Sequence, residues 1–125
     1  MIDYKIPQEL PCCGVAVLCH ILDKPFQDVY ENVKQSFDKD ENWYGGMTIP
    51  EFLLMLIYED IDFEEKHSDL TLDQYTKINT DECIINTPNH FQLYKNGLIH
   101  DQYGSYPVEQ SKWKDKKITK IIKIL

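Results

Sequence analysis

The asparagine–glycine pair Asn96-Gly97 constrains the fold of this chain most, because it lies between two short stretches that are predicted to be β-strands. Both residue types tolerate the positive φ angles that a two-residue type I′ turn requires. The sequence therefore predicts a β-hairpin whose strands are Phe91–Lys95 and Leu98–His100.

The predicted turn also fixes which side chains share a face of the hairpin, because strand side chains alternate between the two faces of a sheet. Counted outward from the turn, the expected pairs are Lys95 with Leu98, Tyr94 with Ile99, Gln92 with Asp101 and His90 with Tyr103. His90 and Asp101 then become diagonal neighbours on one face, at a separation that their side chains bridge. His100 falls on the opposite face and is expected to be a half-buried sheet residue.

Two further strands and three helices are predicted around this hairpin. The strands are Glu82–Asn86 and Lys117–Leu125. Cys12–Leu22 is apolar on all sides, which is typical of a buried helix, although its β-branched residues leave a buried strand as the alternative. Pro25–Phe37 has apolar residues at three- and four-residue spacing, and a third helix is expected behind an N-cap at Thr48.

These elements predict an α+β fold in one domain over residues 1–125, with a central buried helix and further helices packed on a C-terminal antiparallel sheet. Residues Glu59–Asp73 carry seven acids against one lysine and are expected to form a loop or a solvated face. The lysine-rich end Lys112–Lys123 is expected to be an edge strand whose charges discourage aggregation, with a partner contact as the alternative.

The net charge of -8, from 21 acidic and 13 basic residues, argues against binding of nucleic acid, which needs the opposite sign. All the basic residues are lysine, a weak hint of an AT-rich phage or bacterial genome. No run approaches the roughly 18 apolar residues of a membrane span, and the first residues lack the apolar core of a signal peptide. We therefore expect a cytoplasmic protein, located in the host cytoplasm if a phage encodes it, without a membrane partner.

The four cysteines are expected to be reduced thiols: Cys12, Cys13, Cys19 and Cys83. No Cys-x2-Cys pair exists and the histidines are scattered, so no metal and no other cofactor is expected. Cys83 is expected in the core, His20 in a structural role and His67 at the surface.

Cys13 is the thiol best placed for chemistry, because it lies at the predicted start of the buried helix. A helix N-terminus offers unpaired N–H groups and a partial positive charge, which favour the reactive thiolate form of cysteine. Gly14 leaves room for a substrate backbone, and the Gln8 amide is a candidate hydrogen-bond donor to an oxyanion. A core role explains these cysteines as well; what favours catalysis is the pairing of His90 with Asp101, the base and orienting acid of a triad.

Four groups of residues therefore follow one another along the chain: Gln8, Cys13-Gly14, Asn89-His90-Phe91 and Asp101. This order resembles the papain-like cysteine peptidases, and most closely the small domains that process bacteriocin leader peptides after a double glycine. The resemblance covers about residues 6–104 and implies a papain-like fold. It also implies that Cys13 is the nucleophile, His90 the general base and acid, Asp101 the orienting residue and Gln8 part of the oxyanion hole. Two features depart from the family pattern, since Gln8 is one position closer to the cysteine and Cys12 replaces an aspartate.

The expected function is a thiol-dependent peptidase or amide hydrolase that acts on a protein or peptide. One alternative is a catalytically weak or inactive papain-like module that sequesters a partner protein. Another is an acyltransferase that passes the acyl group from the thioester to an amine or thiol. The loop Trp43–Met47 is expected either to border the substrate cleft or to form a turn anchored in the core by Trp43.

Overall fold

The computed structural model describes residues 3–125, which form four α-helices, six β-strands and one turn of 3-10 helix. The helices are α1 (Cys13–Leu22), α2 (Phe26–Ser36), α3 (Ile49–Tyr58) and α4 (Leu72–Ile78), with the 3-10 turn at Val108–Gln110. The strands are β1 (Phe63–Lys66), β2 (Cys83–Thr87), β3 (His90–Lys95), β4 (Leu98–Asp101), β5 (Gly104–Pro107) and β6 (Lys120–Ile124). None of the helices in this part of the chain is both long and apolar enough to cross a membrane.

The six strands form one antiparallel sheet in the order β1-β6-β2-β3-β4-β5. The α+β fold class predicted from the sequence is therefore confirmed. The sheet runs almost continuously along the second half of the chain, since β2, β3, β4 and β5 are joined by tight hairpins. Only β6 returns from the C-terminal end to lie between β1 and β2.

The hairpin at Asn96-Gly97 has the predicted register up to the pair of Leu93 with His100. Asn96 has a φ of 55° and Gly97 a φ of 78°, as a type I′ turn requires. The predicted pairing of His90 with Tyr103 is wrong, because β4 ends at Asp101 and a second two-residue turn leads directly into β5.

Both faces of the sheet are covered, which explains why β2 and β3 are almost entirely buried. Helices α1, α2 and α3 pack on one face, where the sheet contributes Ile84, Phe91 and Leu93. On the other face, Leu72 of α4 and Val108 belong to a second apolar cluster that includes further sheet residues. Adjacent residues of one strand therefore point into different cores, as the two-residue period of a strand dictates.

The N-terminal helices agree with the sequence prediction. The run around α1 is a helix rather than a strand, and its residues Gly14–Cys19 are buried. At the start of α3 the Thr48 side chain accepts a hydrogen bond from the Glu51 N–H, while the Glu51 carboxylate accepts one from the Thr48 N–H. This capping box fixes where α3 begins.

The acidic segment Glu59–Asp73 contains regular structure that the sequence did not predict. It holds β1 and the first residues of α4, which begins after a capping box between Thr71 and Gln74. The side chains of β1 are mostly exposed, so its residues show no apolar alternation although its backbone pairs with β6. Backbone pairing at a sheet edge needs no apolar side chains, and this is why the strand was missed.

The prediction that the lysine-rich C-terminal strand lies at a sheet edge is wrong, because β6 is an interior strand. Its central residues Ile121 and Ile122 are fully buried. The acidic neighbours balance its charges: Lys120 lies 2.5 Å from Glu65, and Lys123 lies 3.3 Å from Asp81. The acidic and the basic segments of the chain are thus partners within the same sheet.

Candidate active site

Three of the four predicted site residues meet at one end of the sheet. Cys13 is the first residue of α1, His90 the first residue of β3, and Asp101 the last residue of β4. Cys13 and His90 line the same cleft, which has a volume of about 650 Å³. Helix α1 packs on one face of the sheet, whereas the His90 and Asp101 side chains lie on the other face. The site therefore forms at the end of the sheet, where the start of α1 lies next to the ends of these strands.

His90 interacts with the other two residues through its ring. Its Nε2 atom lies 3.1 Å from Oδ2 of Asp101, and a carboxylate only accepts, so Nε2–H is the donor. The other ring nitrogen, Nδ1, is not used by Asp101. Burial by itself lowers the pKa of His90, but the hydrogen bond with Asp101 and the nearby Cys13 side chain outweigh it and raise the pKa above its ordinary value.

Asp101 is completely buried and accepts four hydrogen bonds. Its Oδ2 atom accepts from His90, from Nε2 of Gln92 at 3.0 Å and from the Tyr106 hydroxyl at 2.5 Å, while Oδ1 accepts from the Tyr103 N–H at 2.9 Å. Burial alone raises the pKa of this carboxyl, but the donors outweigh burial and lower the pKa below its ordinary value. The chain therefore keeps Asp101 ionised and fixed in one orientation toward the histidine.

Gln8 does not line the cleft of Cys13 and His90. Its Nε2 atom donates to the backbone carbonyl of Gln102 at 2.8 Å, and the side chain lines a separate cavity of about 470 Å³. Gln102 in turn donates from its side chain to the carbonyls of Pro7, Gln8 and Leu10. The two glutamines thus hold the loop that precedes the Cys13 helix.

The start of α1 presents a backbone N–H group beside the Cys13 thiol. The Ala16 N–H makes a backbone bond to the Cys12 carbonyl at 2.9 Å. The N–H group of Cys13 precedes that bond in the helix and so has no partner within it. This N–H lies on the same residue as the thiol.

Cys12, adjacent to the site, is a structural residue. It is fully buried, its thiol donates to the Pro7 carbonyl at 3.6 Å, and burial raises its pKa to about 11. Gly45, with a φ of 98°, packs so closely that a Cβ there would lie 2.8 Å from the Cys12 Cβ. Cys19 and Cys83 are buried as well, and burial raises the pKa of each to about 12. Cys13 is therefore the one cysteine of the four that is not buried.

The loop before α3 both borders the cleft and is anchored in the core. Trp43 stacks on Tyr30 with ring centroids 5.1 Å apart, and its Nε1–H donates to the Gly46 carbonyl at 2.8 Å. Gly46 and Met47 line the cleft. The expectation that Gly14 leaves room for a substrate is wrong, because a Cβ there would already lie 3.1 Å from Met47. The glycine instead lets this wall of the cleft pack tightly on α1.

Trp113 is a site residue that the sequence did not predict. Its ring lies flat on the His90 ring, with centroids 3.5 Å apart and an interplanar angle of 6°. The loop carrying it is tied to the buried network, because Ser111 Oγ accepts hydrogen bonds from the Trp113 N–H at 3.1 Å and from Gln92 at 3.2 Å. A tryptophan within a run of lysines was the one available signal, but its contact with His90 arises only in the folded chain.

If His90 serves a catalytic thiol, replacing Trp113 by alanine is expected to lower kcat/KM by up to about tenfold. The reason is that an aromatic stacking pair contributes about 0.5–1.5 kcal/mol and here holds the histidine ring in one plane. Trp113→Phe retains part of the stack and is expected to fall between the wild type and the alanine variant. Equal kcat/KM for all three proteins would show that the stack does not matter for the histidine.

The remaining histidines have the structural roles predicted for them. His20 lies 3.1 Å from the backbone carbonyl of Asp101, and His100 is half-buried and lies 2.6 Å from the Ser105 hydroxyl. His67 is exposed. Within residues 3–125 no group of three or more histidine, cysteine or acidic side chains is arranged to hold a metal ion.

Comparison with family models, with curated proteins and with solved structures finds no match to this chain. The arrangement of Cys13, His90 and Asp101 therefore carries the functional conclusion by itself.

Proposed function

We propose that this protein is a cysteine peptidase or amide hydrolase of papain-like type, in which Cys13 is the nucleophile. The observation that carries the proposal is the position of His90, which lines the same cleft as Cys13 and whose Nε2 atom lies 3.1 Å from Asp101. Nucleophile, base and orienting acid in this order are the arrangement that activates a thiol. The cleft that Cys13 and His90 line has a volume of about 650 Å³.

In the first chemical step, the Cys13 sulfur, as thiolate, attacks the carbonyl carbon of the substrate. The negative charge moves to the carbonyl oxygen, which accepts a hydrogen bond from the Cys13 N–H. When the C–N bond breaks, the protonated His90 gives its Nδ1 proton to the departing amine. The products of this step are a free amine and a thioester on Cys13.

In the second step, His90 takes a proton from a water molecule whose oxygen attacks the thioester carbon. The C–S bond breaks, the acid is released, and the thiolate forms again beside a protonated histidine. Asp101 stays ionised throughout and stabilises the charged imidazole, since it is held by donors other than His90 as well. Acyl transfer differs only in that an amine or thiol takes the place of water.

The proposal is tested by covalent labelling with iodoacetamide and with a peptide vinyl sulfone at neutral pH, read by mass spectrometry. The wild type and Cys12→Ala are expected to take up one equivalent rapidly, because Cys13 is the half-exposed thiol and the other three are buried. Cys13→Ala is expected to take up none on this timescale. Equal labelling of Cys13→Ala and wild type would contradict the proposal, and the adjacent cysteine is the matched control.

One observation favours the second candidate, a catalytically weak module that binds a partner protein. The Gln8 amide, the expected side-chain donor to the oxyanion, donates instead to the Gln102 backbone carbonyl, and Gln8 does not line the cleft. Labelling of Cys13 without turnover of fluorogenic peptides would support this candidate. Turnover that rises when an amine or thiol acceptor is added would instead indicate acyl transfer.

A further inference from the structure

The cleft beside Cys13 differs from the rest of the protein in its charge. Across the chain 27% of the residues are charged. Among the described residues that line the cleft, by contrast, none is a lysine, aspartate or glutamate, and the polar ones apart from Cys13 and His90 are amides, hydroxyls and a phenol. The walls are formed largely by apolar side chains: Pro11, Met47, Ile49, Pro88, Phe91 and Trp113.

Charged side chains begin only outside this cleft. On one side the Lys112 Nζ lies 5.6 Å from the centroid of the Tyr103 ring. On the other side, Lys39 and Glu51 form an ion pair in a neighbouring cleft that shares Met47 with the first. Each of these groups stands beside the site rather than within it, so the uncharged region is confined to the surroundings of the thiol.

A charged residue of a bound peptide would find no partner in this region. It would exchange water for apolar walls and neutral amides, and a charge that loses its hydration without a partner is strongly disfavoured. An apolar residue gains free energy from the same walls, at roughly 25 cal/mol per Å² of apolar surface removed from water. The cleft therefore discriminates against charged substrate residues.

We infer that the substrate is a peptide whose residues on either side of the scissile bond are uncharged. This inference rests on the proposed function and specifies the substrate class of the same site. The inference applies to the substrate residues that bind in the cleft. Charged residues further along the substrate can still contact Lys112 or the Lys39–Glu51 pair.

Asn89 offers a way to place one charge in the cleft without altering its shape. It lines the cleft, lies in the turn between β2 and β3, and has a φ of 60°. Asn96 is exposed in the next hairpin turn with a φ of 55°, and it does not line the cleft. Asparagine and aspartate both tolerate this backbone conformation, so Asn89→Asp and Asn96→Asp are matched variants.

The experiment measures second-order labelling rates of Cys13 with three peptide vinyl sulfones that differ in one residue next to the reactive group: leucine, lysine or glutamate. For the wild type and Asn96→Asp, the leucine probe is expected to react about tenfold faster than either charged probe. For Asn89→Asp, the ratio of the lysine rate to the leucine rate is expected to rise at least about threefold, and the glutamate ratio to fall. The ratio cancels any general effect of the new carboxylate on His90.

Two results would overturn the inference while leaving the proposed function intact. One is labelling of Cys13 by all three probes at rates within twofold of each other. The other is a change in the lysine ratio that is as large in Asn96→Asp as in Asn89→Asp. If neither iodoacetamide nor any vinyl sulfone labels Cys13 faster than the buried cysteines, the proposed function itself fails and the inference fails with it.

Discussion

Replacing His90 by glutamine is expected to reduce kcat/KM on a peptide substrate by about 10⁴-fold, the upper end of the contribution of general acid–base catalysis. Glutamine neither takes up a proton from the thiol nor returns one to the departing amine. It keeps a polar side chain of similar length beside Asp101, and we therefore expect the fold to survive. The measurement is steady-state turnover of a fluorogenic peptide, with the folded state checked by circular dichroism.

The matched control for this variant is His100→Gln in the same hairpin. His100 is half-buried and pairs with Ser105, outside the cleft. Its replacement is expected to change kcat/KM by less than about threefold. A His90→Gln protein that is folded and retains activity within tenfold of the wild type would show that His90 is not the base.

The second large effect is expected for Asp101→Asn, which should lower kcat/KM by about 10²- to 10⁴-fold and destabilise the fold by about 1–3 kcal/mol. Donors reach both carboxylate oxygens, since Oδ2 accepts from His90, Gln92 and Tyr106 while Oδ1 accepts from the Tyr103 N–H. An amide places an acceptor at only one of these positions. In either orientation, the amide NH₂ group of the asparagine therefore faces an N–H or O–H donor at a buried position.

The pH dependence of stability follows from the directions of the two pKa shifts. The pKa of Asp101 is lowered, so its contribution is present above the ordinary value of 3.8 and is lost as the pH falls through the depressed folded value. The pKa of His90 is raised, so its contribution is present below the ordinary value of 6.5 and is lost as the pH rises through the raised folded value. The pair is therefore expected to stabilise the fold most between these two ordinary values.

Urea unfolding of the wild type and of Asp101→Asn across this range measures the difference directly. The difference in unfolding free energy between the wild type and Asp101→Asn is expected to be largest between about pH 4 and 6.5. A titration of the His90 ring by NMR is expected to show a lower pKa in the variant, because burial still acts on the ring and the carboxylate does not. Asp115→Asn at an exposed position is the control. If this difference does not depend on pH and the pKa of His90 is the same in both proteins, the hypothesis that an ionised Asp101 stabilises the protonated histidine is contradicted.

The predictions from local sequence that the structure confirms concern neighbours along the chain. The type I′ turn at Asn96-Gly97 fixed the register of β3 with β4 and so brought His90 and Asp101 to one face. The apolar run of α1 marked a buried helix whose first residue is Cys13. Turn conformation, strand alternation and helix capping are properties of a few adjacent residues, and a single sequence is enough to predict them.

The features that were missed depend on contacts between distant segments. The exposed side chains of β1 gave no strand pattern, because this strand exists through its backbone pairing with β6. Pairing with β1 on one side and β2 on the other made β6 an interior strand and turned its lysines into partners for Glu65 and Asp81. Local patterns report on burial of side chains and not on which strand lies next to which.

The sequence by itself determined the residue types of the site, the chain order of thiol, base and acid, and the local geometry that places His90 beside Asp101. Only the tertiary structure decided that Cys13 and His90 line one cleft, that Trp113 stacks on the histidine ring, and that the Gln8 amide donates to the Gln102 carbonyl. The physical reason is that these last contacts join segments far apart in the chain. Their geometry follows from how α1 and the loop before β6 pack against the sheet, which no turn or periodicity encodes.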